Sequence, residues 1–180
     1  MDIFSINDYN SGDGMLTSVW GPSMWHFLHT ISFNYPVNPT KEEKDHYYNF
    51  IMSLKHVLPC KYCRENYKKN LKNTKFSKKI FKNRFTFSKY MYDLHEEVNC
   101  MLGKISGLSY NDIRIRYEHF RSRCLNNDKN KVKNGKKIEK GCVDSLYGSK
   151  SKCVLQIVPK SSKIQSFKMS SKCKIQRLNN

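Results

Sequence analysis

Residues 20–36 read WGPSMWHFLHTISFNYP, and this stretch guides the interpretation of the whole chain. Gly21-Pro22 suits the first turn of a helix, where the backbone N–H that proline lacks has no partner in any case. Apolar residues then recur on one helix face: Met24, Phe27, Leu28, Ile31 and Tyr35. Pro36 ends the pattern, because the residue before a proline disfavours helix. The stretch therefore predicts an amphipathic helix that begins at Gly21-Pro22.

Further helices are predicted downstream by apolar stripes and cap signals. A capping box at residues 40–43 opens a second helix, which ends before Pro59. A third helix starts at Pro59-Cys60 and leads into a basic connector. A fourth runs from about Thr86 to a Gly103 suited to a C-cap. Ser109 caps a short fifth helix. Short connections between amphipathic helices predict an all-α fold, a four-helix bundle with a short fifth helix.

Charge is unevenly distributed along the 180-residue chain. Residues 1–120 hold 17 basic and 12 acidic side chains, whereas residues 121–180 hold 16 basic and 3 acidic ones. This composition predicts three regions. They are a flexible N-terminus at 1–17, a helical domain at 18–120 and a basic, cysteine-containing extension at 121–180.

Several classes of protein are excluded by what the sequence lacks. No run approaches 18 apolar residues, so no transmembrane helix is expected. The first residues, MDIFSIND, lack the basic start and apolar core of a secretory signal, so the protein is not expected to be secreted. Neither GxGxxG nor GxxxxGK occurs, which argues against Rossmann and P-loop nucleotide sites. Seven cysteines without a secretion signal point to catalytic or metal-binding thiols.

Cys60-Lys61-Tyr62-Cys63 lies at the predicted start of the third helix. The unpaired N–H groups and the dipole of a helix start stabilise a thiolate. Two thiols at this spacing can close a disulfide and reopen it, so the pair is a redox candidate. Two other interpretations stay open at this point. One is half of a zinc site, although no second Cys-x-x-Cys exists, and the other is a structural disulfide or a buried thiol pair.

Two pairs of side chains four residues apart supply flat rings with polar partners. Trp25 and His29 share one face of the first helix, and His95 and Asn99 share one face of the fourth. A single histidine on an apolar face is more often a core residue with satisfied hydrogen bonds. Two such pairs in a chain with a Cys-x-x-Cys instead favour a planar cofactor held inside the bundle.

Together these motifs resemble the Erv/ALR family of flavin-linked sulfhydryl oxidases. The order and spacing match over about residues 18–120. The matching segments are WGPSMWHFLHT at 20–30, YP at 35–36, PCKYC at 59–63, HEEVN at 95–99, LGK at 102–104 and RY at 116–117. The resemblance implies a helical bundle that binds FAD without covalent attachment and commonly forms homodimers.

The resemblance also implies a role for each matching residue. Cys63 would be the flavin-proximal thiol, which makes the charge-transfer contact with the isoalloxazine ring, and Cys60 the interchange thiol that receives electrons from outside. The flavin would be lined by Trp25, His29 and Tyr35. The other implied FAD-binding residues are Gly21, His95, Val98, Asn99, Leu102, Lys104, Arg116 and Tyr117, the last three near the phosphates and adenine. The implied reaction is thiol–disulfide exchange, two-electron transfer to FAD and reoxidation by O₂ to give H₂O₂, with no metal ion.

Departures from the family pattern point to one of its branches. Pro22 stands where many members have arginine, and Glu96 stands where the fourth-helix motif usually has asparagine. Cellular members often carry a second disulfide, but the corresponding positions here hold Lys72 and Ser109. The Trp-Gly-Pro opening, the missing bond and the basic, cysteine-bearing tail resemble the branch found in large cytoplasmic DNA viruses. That branch implies a location in the host cytoplasm or the virion.

The extension carries the cysteines that could relay electrons. Family members often have a second, mobile cysteine pair, and we predict Cys142 and Cys153 as that shuttle, since Gly and Ser residues near them favour flexible attachment. Free thiols or a structural bond in the tail are the alternatives. Protein thiol substrates, or a separate redox relay protein, would then reach Cys60 directly.

The extension also has a strand pattern and a strong positive charge. Apolar and polar residues alternate over 167–176, and 153–158 is a second strand candidate, so a small β-hairpin is predicted. The charge fits an acidic protein, an anionic membrane surface or nucleic acid. The rival hypothesis for the whole chain is therefore a zinc-stabilised basic helical module that binds nucleic acid or another acidic partner.

Overall fold

Six α-helices organise the part of the chain that precedes the basic extension, in a computed structural model. The structure describes residues 5–122 and the backbone of four short strands. The helices are α1 Ile6–Tyr9, α2 Thr17–Asn34, α3 Lys41–Val57, α4 Lys61–Asn73, α5 Arg84–Met101 and α6 Tyr110–Glu118, and a 3-10 helix spans Lys78–Lys82. The chain divides into two compact units, Met1–Arg114 and Ile115–Asn180.

The core lies between four long helices. Helix α2 packs along α5, and α3 packs against α4. The side chains buried between them are mostly aliphatic and aromatic: Leu28, Ile51, Leu54, Leu71, Phe87, Met91 and Leu94. Each such side chain contributes roughly 1.5–3 kcal/mol when fully buried. The predicted all-α bundle of four helices with a short fifth one is confirmed.

The predicted start of the first long helix is wrong. Helix α2 begins at Thr17, so Gly21-Pro22 lies in its second turn. Pro22 is exposed there and lacks the N–H that would bond to the carbonyl of Ser18. The earlier start has a structural cause, because the indole Nε1 of Trp20 donates to the carbonyl of Met15 at 3.1 Å and fixes the chain just before the helix.

Most of the other predicted helix ends are confirmed by their caps. The Thr40 hydroxyl accepts from the Glu43 N–H at 3.1 Å, which closes the capping box of α3. Gly103 adopts φ +65° after α5, and the next N–H bonds to the Asn99 carbonyl at 2.8 Å, as expected of a glycine C-cap. Ser109 caps α6. Helix α5 differs slightly, since it begins at Arg84 rather than at Thr86.

An aromatic cluster closes the end of the bundle where α2 finishes. Tyr35 is completely buried, and its hydroxyl donates to the Phe81 carbonyl at 2.9 Å. Its ring meets those of Tyr47 and Phe87 edge-on, with centroids 4.7 and 5.1 Å apart. Phe81 comes from the 3-10 helix, which occupies part of the predicted basic connector at 72–82. The connector therefore contributes Phe81 to the core. The Tyr35 ring is held by the aromatic rings packed around it.

The extension contributes two short antiparallel pairs of strands. Strands β1 and β2 span Val132–Lys133 and Lys136–Lys137. Strand β3, Cys153–Leu155, pairs with β4, Phe167–Met169, so that Val154 faces Lys168. The β3–β4 pair falls within the two segments that the sequence pattern predicts as strands. Among residues 5–122, none of the helices is long and apolar enough to cross a membrane.

Candidate active site

The two cysteines lie at the beginning of α4 and are held there by backbone hydrogen bonds. Cys60 is the N-cap of the helix, and its Sγ accepts from the Cys63 N–H at 3.2 Å. The carbonyl of Leu58 accepts from the Cys60 N–H at 2.8 Å and from the Arg64 guanidinium at 2.6 Å. Both thiols are free and partly exposed. The predicted position of the pair at a helix start is confirmed. The Cys60 sulfur accepts the N-cap hydrogen bond that a side-chain oxygen usually accepts.

The surroundings shift the pKa values of the two thiols in opposite directions. Burial acts to raise the pKa of Cys60, but hydrogen bonds from Cys63 and from the Thr17 hydroxyl outweigh it and lower the pKa. Burial raises the pKa of Cys63, and the hydrogen bond it gives to Cys60 raises it further, against the opposing effects of Thr17 and Arg64. Cys60 is therefore the thiol that ionises first. A low-pKa, accessible thiol is the one that exchanges with outside disulfides and thiols.

A short N-terminal strap, residues 13–15, lies against the cysteine segment. The Met15 N–H donates to the Pro59 carbonyl at 2.6 Å, and the Lys61 N–H donates to the Asp13 carbonyl at 3.3 Å. Gly14 faces Cys60 in this bridge with φ +93°. A Cβ at Gly14 would lie 2.4 Å from the Pro59 carbonyl oxygen. Only glycine fits so close an approach, and the strap thus fixes the chain on both sides of Cys60.

The rings predicted to hold a planar cofactor come together between α2 and α5. The rings of Trp25 and His95 are stacked, with centroids 4.0 Å apart and an interplanar angle of 6°. His29 Nε2 lies 3.0 Å from His95 Nδ1, so one imidazole donates to the other. Burial, reinforced by His95 and His26, lowers the pKa of His29 to about 3. Burial also lowers the pKa of His95. Both imidazoles are therefore neutral at pH 7.

Polar groups surround these rings at the C-terminal end of α5. The Asn99 amide donates to one carboxylate oxygen of Glu96 at 2.9 Å, and the Ser106 hydroxyl donates to the other at 2.9 Å. Lys104 is close enough to His95 to disfavour its protonated form. The glutamate that departs from the family pattern thus joins the end of α5 to the loop that follows. Two other predicted contacts, Val98 and Leu102, lie on the same stretch, half-buried and exposed respectively.

Gly21 leaves space on one face of α2. This face contacts Cys63 through Thr17 and carries Trp25 and His29 further along. Thr17, Gly21, Trp25 and His29 follow one another every fourth residue, so they form one row along the helix. Gly21 is buried, yet among residues 5–122 an added Cβ would meet only the Thr17 Cγ2 within 4 Å, at 3.4 Å. These residues therefore leave space beside the glycine. A flat ring system held by neutral imidazoles and indole fits this donor set and this space.

The remaining predicted residues have surroundings of their own. Tyr35 lies in the aromatic cluster at the other end of α2, with its hydroxyl already bonded to a carbonyl. Arg116 and Tyr117 belong to the second unit, where the Tyr117 ring meets Phe120 edge-on at 5.6 Å. Burial raises the pKa of Tyr117 to about 12. Cys142 lies outside the described residues, and Cys153 is described only as part of the β3 backbone.

Two residues that the sequence analysis did not single out also shape the site. Thr17 places its Oγ1 3.4 Å from Cys63 Sγ, and Gly14 faces Cys60. A usable signal existed for Thr17, which stands four residues before Gly21 on the row that leads to Trp25. For Gly14 the signal was the glycine-rich sequence SGDG at 11–14, although this sequence does not indicate which segment Gly14 would contact.

No metal cluster competes for these side chains in the part of the chain that the structure describes. Within residues 5–122 there is no group of three or more His, Cys, Asp and Glu side chains arranged to hold a metal ion. The described residues thus define a class of all-α protein, a helical bundle with a Cys-x-x-Cys at a helix start and stacked indole and imidazole rings between two of its helices.

Comparison with known families places the chain within that class. The sequence model of the Erv1/Alr family matches residues 22–136, and the protein belongs to this family. A protein of Acanthamoeba polyphaga mimivirus, R368, named as a probable FAD-linked sulfhydryl oxidase, is 39% identical over 85 residues, 47% of this chain and 59% of that protein. Protein 347L of Invertebrate iridescent virus 6, also named as a FAD-linked sulfhydryl oxidase, is 31% identical over 90 residues, 48% of this chain and 81% of that protein.

A solved structure supports the same fold. The FAD binding domain of Erv1 from Saccharomyces cerevisiae superimposes with a TM-score of 0.52 at 25% identity, covering 57% of this chain and 94% of that one. The match to the mimivirus protein covers less than two thirds of its length.

Proposed function

We propose that this protein is a FAD-dependent sulfhydryl oxidase that forms disulfides in protein thiols through Cys60 and Cys63. The observation that carries the proposal is the pair itself. Two thiols share the N-terminus of α4, and hydrogen bonds lower the pKa of one while burial raises that of the other. Family membership and the names of the relatives support the same reaction.

The residues around the rings fit the proposed cofactor. Trp25, His29 and His95 would hold the flavin ring, with Gly21 leaving room beside it. The remaining contacts proposed on α5 and the loop after it are Val98, Asn99, Leu102 and Lys104. Arg116 and Tyr117 stay predictions for the phosphate and adenine end. Bound FAD would supply a two-electron acceptor that passes the electrons on to O₂, giving H₂O₂.

The cysteines divide the work in this proposal. Cys60 is the target of an outside thiol because its sulfur is the more accessible of the two, and once the pair is reduced its thiolate is the more stable one. Cys63 packs against the core and is the more buried of the two thiols, so we assign it as the inner one. Substrate electrons would enter at Cys60 and leave from Cys63.

Partners and location complete the proposal. Protein thiols, or a relay protein, would be the electron donors, and the shuttle pair Cys142–Cys153 stays a prediction. A homodimer is proposed from the resemblance alone. The two viral relatives support a viral origin, and hence the host cytoplasm or the virion as the place of action. The basic extension would contact an acidic protein, a membrane surface or nucleic acid.

The visible spectrum of the purified full-length protein tests the proposal. We expect a flavin spectrum that bleaches when dithiothreitol is added and recovers in air as oxygen is consumed. Cys63→Ser should abolish oxygen consumption while the protein still binds FAD. The matched control is Cys100→Ser, since Cys100 is an exposed thiol on α5, and it should keep full activity.

Two results would contradict the proposal. One is a protein that stays colourless after FAD is added back and contains zinc, which would favour the rival zinc-stabilised module. The other is a Cys63→Ser variant that oxidises dithiothreitol at the wild-type rate.

A further inference from the structure

Thr17 is the one hydroxyl-bearing side chain that contacts the cysteine pair within the described residues. It is the first residue of α2, and its Oγ1 lies 3.4 Å from Cys63 Sγ. The N-terminal strap at 13–15 holds the preceding chain to Pro59 and Lys61, so the start of α2 and the start of α4 are fixed together. Two elements far apart in sequence thus meet at one sulfur.

We propose that Thr17 is a catalytic residue whose hydroxyl donates a hydrogen bond to the Cys63 thiolate released when the Cys60–Cys63 disulfide opens. The inference rests on the sulfhydryl oxidase function proposed above. Either atom could donate in the dithiol, but a thiolate carries no proton. Once Cys63 is ionised, the hydroxyl is therefore the donor.

The step in which the hydroxyl acts can be written with its electrons and protons. A substrate thiolate attacks Cys60 Sγ, a substrate–Cys60 disulfide forms, and the Cys60–Cys63 bond breaks with its electron pair on Cys63. A second substrate thiolate then attacks the substrate sulfur of the mixed disulfide and releases Cys60. Two electrons pass from the substrate dithiol to the enzyme pair, and the two substrate protons pass through solvent to the enzyme thiols. The thiolate on Cys63 is the leaving group of the first attack.

The surroundings of Cys63 explain why its thiolate, which is the leaving group, needs a hydrogen-bond donor. Burial raises the pKa of this thiol, and a thiol of higher pKa leaves more slowly. Among the described residues, the titratable or charged groups that act on it are Cys60, which raises its pKa, and Arg64, which lowers it. The Arg64 guanidinium donates to the Leu58 carbonyl, so part of its donor capacity is engaged. Thr17 supplies a direct, short-range donor from the opposite helix.

The test compares three variants of the full-length protein. Thr17→Val keeps the branched shape and removes the hydroxyl, and Thr17→Ser keeps the hydroxyl. Thr30→Val is the matched control on the same helix, because the Thr30 hydroxyl donates to the His26 carbonyl at 2.8 Å and does not contact the thiols. The reduced proteins are alkylated with iodoacetamide without oxygen at a series of pH values, and the rate at Cys63 is read by mass mapping of peptides. Dithiothreitol-dependent oxygen use is measured in parallel.

We expect Thr17→Val to slow Cys63 alkylation at pH 7 about five- to tenfold, the size expected for one hydrogen bond to a charged, partly exposed group. The midpoint of its pH profile should move to higher pH, with the same rate at the alkaline plateau, and oxygen use should fall by a similar factor. Thr17→Ser and Thr30→Val should stay within about twofold of the wild type in both measurements.

Three outcomes would overturn the role of Thr17. They are an unchanged Cys63 profile in Thr17→Val, a Thr17→Ser profile that shifts as far as that of Thr17→Val, and a change in the alkaline plateau alone, which reports access rather than thiolate stability. Failure of the proposed function is distinguishable from these, because a wild type that consumes no oxygen leaves the alkylation profiles readable.

Discussion

The two ends of helix α2 are stabilised in different ways. At its N-terminal end, the residues around Thr17 are exposed and are held by a few hydrogen bonds to the cysteine segment. At its C-terminal end, Phe33 and Tyr35 are almost fully buried, and Tyr35 packs among Tyr47, Phe81 and Phe87. The residue that contacts the cysteine pair lies at the exposed end of the helix. The residues expected to contribute most to the free energy of unfolding lie at the packed end. The difference predicts that changes at one end should leave the function of the other largely intact.

The largest expected effect on stability is at the packed end. Phe87 is completely buried, with its ring 5.1 Å from that of Tyr35 and 4.9 Å from that of Phe81. Phe87→Ala should lower the free energy of unfolding by about 3–5 kcal/mol, measured by urea unfolding followed by circular dichroism. Oxygen use per folded molecule should change little. The matched control is Phe85→Ala two residues earlier, which is 60% exposed and should cost under about 1 kcal/mol. Equal costs for the two variants would contradict this division.

An intermediate effect is expected from the buried histidines midway along α2. The pKa of His29 is about 3 in the folded protein, below its ordinary value of 6.5, because burial disfavours the charged imidazole. The unfolded chain therefore binds the proton more readily, so this stability is complete above pH 6.5 and is lost as the pH falls toward 3. Between pH 7 and pH 5, His29 alone should remove about 2 kcal/mol from the free energy of unfolding.

Urea unfolding at the two pH values measures this effect. His29→Gln should flatten the difference, whereas His46→Gln, at an exposed position on α3, should preserve it. A wild-type protein with the same unfolding free energy at pH 7 and pH 5 would contradict the assignment of a buried neutral imidazole.

The sequence predicted the packed end better than the reactive end. Apolar spacing, capping boxes and Gly103 identified α3, α4, α5 and α6, because these signals are local. Helical spacing placed Trp25 and His29 on one face and His95 and Asn99 on another, but the stacking of Trp25 on His95 is a tertiary contact that spacing alone does not give. Tyr35, predicted to line the flavin, lies in the aromatic cluster with its hydroxyl bonded to the Phe81 carbonyl, and its role at the flavin stays a prediction.

The strap could not be predicted for a different reason. Its hydrogen bonds join residues 13–15 to 59–61, about 45 residues apart in the sequence. Both partners are backbone groups, so the pattern of side chains does not predict these bonds. Gly14 is informative only once its partner is known. The start of α2 at Thr17, before Pro22, goes instead with a contact of shorter range, the Trp20 indole on the Met15 carbonyl. Local rules place a proline at a helix start, but here a side-chain bond fixes the chain four residues earlier.

The smallest effect on stability, and the sharpest test of the comparison, is expected at this strap. Gly14→Ala places a Cβ against the Pro59 carbonyl oxygen and forces an alanine into φ +93°, which strains the backbone by about 1–3 kcal/mol. The strap is exposed and can detach from residues 59–61, so the global free energy of unfolding should fall by less than about 1 kcal/mol. Hydrogen exchange should instead accelerate at the Met15 and Lys61 amides, because their bonds to Pro59 and Asp13 open. Gly12→Ala is the control, since a Cβ there meets no atom of the described residues within 4 Å, and it should leave both amides protected. Loss of protection in α5 as well would mean that the strap supports the whole bundle, and that the two ends of α2 are not independent.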